Sequence, residues 1–435
     1  MGIGKIFYNT ALWGYGLIDD VMADFALSKE RHINKSKRKI RVAFLCQYIP
    51  AWGKMEALYK TLKTDKRFDT YLLCVPLNIT KHKLVEPDSL LNDTYEYFTE
   101  QGYDEAINTL IGREKWLDLK KLELDYVFCC RTYNTYMPRE YSNHAISRYA
   151  RVCVLLYALA LIQDTYSSVF NDDFFRYTYC YYAETAYSEL FYRQKYRKKI
   201  QKKVKRSVYY GAPFLETFYN EKDSPAPIWD FSKNDFRAIW SPRWTTDKSL
   251  GGTNFFEYKD VLTEYAGTHK DIDFVFRPHP LMFDNFIKTG EMSKKEVEIF
   301  KTKIDKSDNI VLDNEKKYEA TMWKSSVLIS DPSSIVAEYF SIGKPVIYCD
   351  TNTDVKNTKM TDRMLEGCYV VKNKDELVKT IDELRLGKDY LSDKREEIRK
   401  ELFGDDMSGI SAKIADDLFD DYKHRLRRQN ETKTS

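Results

Sequence analysis

Twice along this chain, short apolar runs alternate with segments whose apolar residues recur at helical spacing. In the first half the runs are Lys39–Cys46, Asp69–Pro76, Leu124–Cys130, Arg151–Ile162 and Ser207–Tyr210. A helical pattern follows the first of them, with Met55, Leu58, Tyr59 and Leu62 on one face. In the second half the runs are Arg237–Trp240, Ile272–Phe276, Ile310–Leu312, Ser326–Ser330, Pro345–Tyr348 and Cys368–Val371, separated by helical stretches at 255–266, 293–306, 317–323, 334–342 and 374–385. A strand that returns through a helix to a neighbouring strand builds a parallel sheet covered on both faces. The pattern predicts an α/β chain of two doubly wound, Rossmann-like domains, with ligands at the carboxyl ends of the strands, in the cleft between the domains.

A polar, Pro-containing stretch, Glu221–Pro227, marks the joint. The expected organisation is an N-terminal helical extension and basic linker over 1–38, a first domain over 39–222, a second over 228–422 with its last helix at 411–422, and a polar tail over 423–435. A length of 435 residues suits two domains of ordinary size.

Composition excludes several classes. With 69 Lys and Arg against 66 Asp and Glu, the formal charge is only +3, too balanced for a surface built to grip nucleic acid. The 8 Cys lie mostly in apolar runs without zinc spacing, which predicts reduced core thiols and neither disulfides nor metal. The longest apolar run, Val152–Ile162, is too short to span a bilayer, and no signal-peptide core follows Met1, so the expected compartment is the cytoplasm. Aromatics reach 15%, and the cluster Tyr177–Tyr182 suits either core packing or the lining of a sugar site.

Three strand ends carry groups suited to phosphate chemistry. After Val327–Ser330 the chain turns at Asp331-Pro332 and starts a helix at Ser333-Ser334 that Gly343 ends. Free N–H groups, the helix dipole and two hydroxyls converge there, which favours a diphosphate; the plainer alternative is a helix cap. After Phe274–Phe276 come Arg277, Pro278, His279 and Pro280. The prolines stiffen a loop whose imidazole suits a general base or a phosphate donor, with Arg277 beside it to neutralise phosphate oxygens. After Ile239–Ser241 come Pro242, Arg243, Trp244, Thr245 and Thr246, adding one cation and two hydroxyls. If the three strands are neighbours, these loops share one site.

Arg193–Arg206 holds nine Lys or Arg and no acid. It reads as a solvated helix face or as a contact for an anionic membrane surface or a polyanion.

Arg277-Pro-His-Pro280, Ser330-Asp-Pro-Ser-Ser334 with Gly343-Lys-Pro-Val346, and Ser241-Pro-Arg-Trp244 together resemble the CDP-glycerol glycerophosphotransferase family, the teichoic acid and capsule polyol-phosphate transferases of bacterial envelopes, which have a GT-B fold. Gly404–Gly409 is a looser echo before the final helix. The resemblance implies attack by an acceptor hydroxyl on the β-phosphorus of CDP-glycerol or a related CDP-polyol, with CMP leaving and no cofactor or mandatory metal. The acceptor would be an envelope glycan or a lipid-linked chain, and the enzyme peripheral at the inner face of the plasma membrane. It further implies that His279 acts at the reacting phosphate and that Ser333, Ser334, Asp331, Arg277, Arg243 and Thr245 serve the donor. Family polymerases carry a Trp-His-Gly motif in the first domain. Its slot here, Val154–Ala160, contains no His; Tyr157 stands in it, and His144 is the nearest imidazole in sequence. A GT-B glycosyltransferase using a nucleotide sugar, and an inactive binding homologue, are the alternative readings.

Overall fold

The computed structural model describes residues 18–28, 38–86, 90–156, 159, 161–162, 169–315, 317–353 and 355–434. The chain divides into two compact units, one formed by 1–158, 168–214 and 409–435, the other by 159–167 and 215–408.

The first unit contains seven parallel strands: β1 (Ile40–Cys46), β2 (Phe68–Cys74), β3 (Ala106–Asn108), β4 (Tyr126–Cys129), β5 (Arg151–Val154), β6 (Cys180–Ala183) and β7 (Arg206–Tyr209). Their order is β7-β6-β5-β4-β1-β2-β3. The central strand β1 is buried along nearly its whole length, because helices cover both faces; hence its sequence reads as a continuous apolar run without alternation. Strand order reverses between β1 and β4, whose residues pair from Val42↔Tyr126 to Leu45↔Cys129.

Three expectations for this half are corrected, and one open alternative is decided. The run Arg151–Ile162 is a strand only to Val154, and Ile162 instead bridges Asn357 in the second unit's part of the chain. The cluster Tyr177–Tyr182 is core: β6 is buried throughout and pairs with β5 and β7. The basic run is not one solvated face, since Lys205 is buried and its Nζ caps the carbonyls of Phe175, Arg176 and Thr178, and Arg206 lies in β7. Residues 423–434 are helix and not tail, because the last helix runs Ile410–Thr434.

That helix packs with the first unit, which overturns its placement in the second domain. Asp417 and Asp421, one helical turn apart, accept hydrogen bonds from Tyr182 at 2.7 Å, from Tyr126 at 2.6 Å and from Tyr179 at 2.7 Å, and both pair with Arg206. Acids that look solvent-bound in sequence are here the partners of buried phenols and a strand arginine. A helix over 18–28 lies on the same unit, with Asp20 and Asp24 paired to Lys199 and Asp19 to Arg176.

The second unit contains six parallel strands: β8 (Phe236–Ser241), β9 (Ile272–Phe276), β10 (Ile310–Leu312), β11 (Val327–Ser330), β12 (Val346–Cys349) and β13 (Tyr369–Val371), in the order β10-β9-β8-β11-β12-β13. Its core joins Trp240, Phe255, Phe274, Phe276, Phe286 and Phe300, drawn from strands and covering helices. The reversal of order falls between β8 and β11. That is where a doubly wound sheet opens a crevice at its carboxyl edge.

Candidate active site

Register decides what meets in that crevice. Trp240 pairs with Phe276 on one side and Ile329 on the other, and Ser241 pairs with Ser330. The loops after β8, β9 and β11 therefore leave the sheet side by side. They are also tied together, for Arg277 N donates to Trp240 O at 2.8 Å and His279 N to Pro242 O at 3.3 Å. The three strands are neighbours, the condition under which these loops could share a site, and the loops lie together at the sheet's carboxyl edge.

Asp331 is their buried organiser. Its Oδ2 accepts from Arg243 N at 2.9 Å and Thr253 Oγ1 at 2.6 Å, and its Oδ1 from Asn254 N at 3.2 Å. Burial pushes the carboxyl up to about 6, against the pull of these donors and of Arg243. With both oxygens committed to the protein, Asp331 positions the loops and does not itself face a donor.

Arg243 sends Nη1 to Pro332 O, while its buried Nε has no partner. Burial lowers the guanidinium from its ordinary value, yet arginine stays charged in proteins. Gly251 is required beside it. Its φ is +99°, and a Cβ there would meet Ile162 Cδ1 at 3.1 Å and Arg243 Cζ at 3.4 Å. Thr245 is buried, with Oγ1 accepting from Asp247 N at 3.1 Å, so it shapes the loop.

His279 is half-buried, its ring 6.2 Å from that of Trp244. The N–H of Leu281 donates to Nδ1 at 3.2 Å, which leaves the proton of the neutral ring on Nε2. Burial, seconded by Arg243, pushes the imidazole down to about 4. At neutral pH the ring is therefore uncharged and offers Nε2–H, the form of a hydrogen-bond donor to a phosphoryl oxygen. Of the two roles left open by the sequence, this geometry favours the donor.

Ser333 occupies the N-cap position of the helix Ser334–Ser341 in extended backbone, but its side chain makes no capping bond. Both serines are half-buried, and neither hydroxyl is bonded to another described residue. A simple capping role is thus excluded for Ser333. Free N–H groups of the first turn and two uncommitted hydroxyls sit beside Arg243, a constellation that suits an anion.

Arg277 is corrected. Its Nη1 pairs with the buried Asp313 at 2.6 Å, its Nη2 donates to Glu315 O at 2.8 Å, and its guanidinium lies 4.5 Å from the Tyr318 ring centre. The side chain braces the β9 and β10 loops and is not available to a diphosphate. Tyr157 lies outside the described residues. His144 packs against Tyr177 with ring centres 4.7 Å apart and meets Arg148 through Nε2 at 3.0 Å. Sequence reasoning missed Thr253, Asn254 and Gly251. The pair Gly251-Gly252 just before a helix was the available signal of a close backbone approach.

Two Rossmann-like units in one chain, the second with an anion-suited crevice at its strand-order reversal, define a GT-B protein. Residues 238–420 match the family model described as CDP-Glycerol:Poly(glycerophosphate) glycerophosphotransferase. Over that segment the match bears out the resemblance carried by the motifs. Among solved structures the chain is similar to a UDP-N-acetylglucosamine 2-epimerase at 14% identity and TM-score 0.58, covering 89% of this chain and 97% of that one. It is also similar to the wall teichoic acid polymerase TagF at 15% identity and TM-score 0.55, over 98% of this chain and 100% of that one. The UDP-GlcNAc 2-epimerase from Neisseria meningitidis, solved with UDP-GlcNAc, follows at 14% identity and TM-score 0.55, over 88% and 100%. At these identities the structures establish the fold. Comparison with curated protein sequences finds no match.

Proposed function

We propose that the enzyme transfers glycerol phosphate, or a related polyol phosphate, from a CDP-linked donor to a hydroxyl of an envelope glycan or lipid-linked acceptor, releasing CMP. The observation that carries this reading is the tied set of strand-end loops holding His279, Arg243, Ser333 and Ser334 within the segment that matches the family. TagF, soaked with CDPG in one solved variant, offers the fold-level parallel. The serine hydroxyls and first-turn N–H groups would hold the diphosphate, Arg243 would offset its charge, and His279 Nε2–H would bind the phosphoryl oxygen on which charge builds. This scheme needs no cofactor. The deciding assay is product identity: CMP release from CDP-glycerol supports phosphoryl transfer, whereas a nucleoside diphosphate from a nucleotide sugar would replace it with glycosyl transfer. Absence of any turnover would leave the inactive homologue.

Ser334→Ala should raise the donor KM by roughly tenfold and lower kcat less, because a hydroxyl bonded to a charged phosphate acts in ground and transition states alike. Steady-state kinetics with varied donor checks this.

We further propose a peripheral membrane location, at the inner face of the plasma membrane. Among the described residues no helix is long and apolar enough to cross a membrane. The 18–28 helix exposes Ile18, Val21, Met22 and Phe25, at 62%, 69%, 46% and 64%, a stripe at helical spacing. Lys198, Lys202 and Lys203 are exposed on the neighbouring basic segment, while Lys199 is neutralised by Asp20 and Asp24. The protein should sediment with anionic liposomes at low salt and be largely released at high salt. Replacing Lys198, Lys202 and Lys203 with Gln should cut binding severalfold, and adding Val21→Glu and Phe25→Glu should remove the residue. Unchanged sedimentation of the five-fold variant would refute the location.

A further inference from the structure

The apolar run that begins with β5 outlasts its strand. β5 ends at Val154, yet Leu159, Leu161 and Ile162 are buried, and all three belong to the second unit. Apolar side chains that a strand does not use must be covered elsewhere. Here they lie against the segment that follows β12. Leu161 O accepts two hydrogen bonds, from Thr358 N at 2.9 Å and from Thr361 Oγ1 at 2.8 Å, and Ile162 forms an antiparallel bridge with Asn357. Both threonines are buried, and Thr358 Oγ1 accepts from Thr361 N at 3.2 Å as the N-cap of the helix Lys359–Leu365. A carbonyl bonded twice among buried groups is a fixed contact, because its loss would strand the donors.

The segment after β12 is sewn in turn to the loop after β8. Thr351 Oγ1 donates to Gly251 O at 2.6 Å, and Asn254 Nδ2 donates to Asp350 O at 3.0 Å. Ile162 thereby reaches the donor loops. A Cβ on Gly251 would stand 3.1 Å from Ile162 Cδ1 and 3.4 Å from both Cζ and Nε of Arg243, so the isoleucine methyl and the guanidinium face each other across a bare glycine. The Nε is buried without a partner, Nη1 is committed to Pro332 O, and Nη2 has no partner among the described residues. One edge of the cation is walled by hydrocarbon, a second is held by a carbonyl, and a third is left. Excluding water from the walled edge weakens screening of the charge, and holding the side chain in place reduces the entropy it loses on meeting an anion.

We infer that Ile162, clamped by Thr358 and Thr361, is a positioning residue for Arg243: the strap 159–162 holds the guanidinium in the orientation that keeps Nη2 for the diphosphate. The inference rests on the role proposed above for Arg243 and goes beyond it, giving the chain that follows β5 a share in donor binding.

The test is calorimetric titration of the full chain with CDP, well below the thermal transition of each variant. Ile162→Ala should weaken CDP binding about tenfold and Ile162→Val clearly less, since preorganisation depends on the methyl that faces the cation. Thr361→Val, which removes the hydroxyl bonded to Leu161 O, should weaken it severalfold. The deciding measurement is a double-mutant cycle. In an Arg243→Gln background, Ile162→Ala should change CDP affinity by less than about twofold, because the group it positions is gone. Losses that simply add would reduce Ile162 to general packing and overturn the inference, as would wild-type affinity in Ile162→Ala or no CDP binding by the wild type. CMP release from CDP-glycerol is read separately: CDP binding with the expected coupling but no release would sink the transferase reading and leave the strap standing, and release without coupling would do the reverse.

Discussion

His279→Ala is expected to lower CMP release from a CDP-polyol by roughly 10²–10³-fold, the usual cost of removing one positioned donor from a developing phosphoryl charge. The fold should survive, because the ring sits in a loop and is only half-buried. His279→Gln separates the two chemical roles. With Leu281 N–H occupying Nδ1, the wild-type ring presents Nε2–H, and a glutamine amide can supply an N–H in its place. Gln should therefore retain clearly more activity than Ala; equal loss in both would point to proton abstraction. Because the imidazole is pushed down to about 4, it stays neutral from about pH 5 upward, so no limb of the rate profile near pH 6.5 should belong to it. A limb there that vanishes in His279→Gln would overturn the donor role.

Asp331→Ala should markedly destabilise the second unit. Removing its carboxylate strands the N–H groups of Arg243 and Asn254 and the hydroxyl of Thr253, at a cost of about 2–4 kcal/mol. For a unit of this size that lowers its thermal transition by roughly 5–12 °C. Donor affinity should fall too, since the loop bearing Arg243 loses its tether to the serine turn. A transition within about 2 °C of wild type would mean that the loops hold together without Asp331.

The same two residues predict opposite pH slopes. His279 has its folded value depressed from 6.5 to about 4, so the unfolded chain binds the extra proton in that window, and this residue's contribution to stability is lost as pH falls through it. Asp331 has its folded value raised from 3.8 to about 6, so the folded chain holds the extra proton, and its contribution falls as pH rises through that window. His279→Gln and Asp331→Asn should therefore change the slope of stability between about pH 4 and 6 in opposite directions, as measured by denaturant midpoints.

Much of the second unit was legible in the sequence because its strands are short, apolar and punctuated. Ile272–Phe276 and Ile310–Leu312 fall where their apolar runs lie, and the helix Lys374–Arg385 where its period lies. The first unit was harder to read. Strand β6 is made of Tyr, Cys and Ala, and β3 is three residues long, so neither announced itself by hydrophobicity. The serines, His279 and Arg243 were found from residue type and position at strand ends. Arg277 looked like the same kind of group, and only the buried Asp313 on the next strand loop shows that its charge is already matched.

Sequence alone determined the alternation of strand and helix, the two-unit plan and the motif loops, because burial on both faces of a parallel sheet writes itself as uninterrupted apolar runs. Tertiary structure decided which polar groups are left uncommitted. A carboxylate or guanidinium reads the same in sequence whether water, substrate or protein satisfies it, and only the fold brings its partner from elsewhere in the chain. Thus Asp331 was spent on holding loops, Arg277 on Asp313, and Asp417 and Asp421 on buried tyrosines, while Ser333, Ser334 and the Nε of Arg243 remained open.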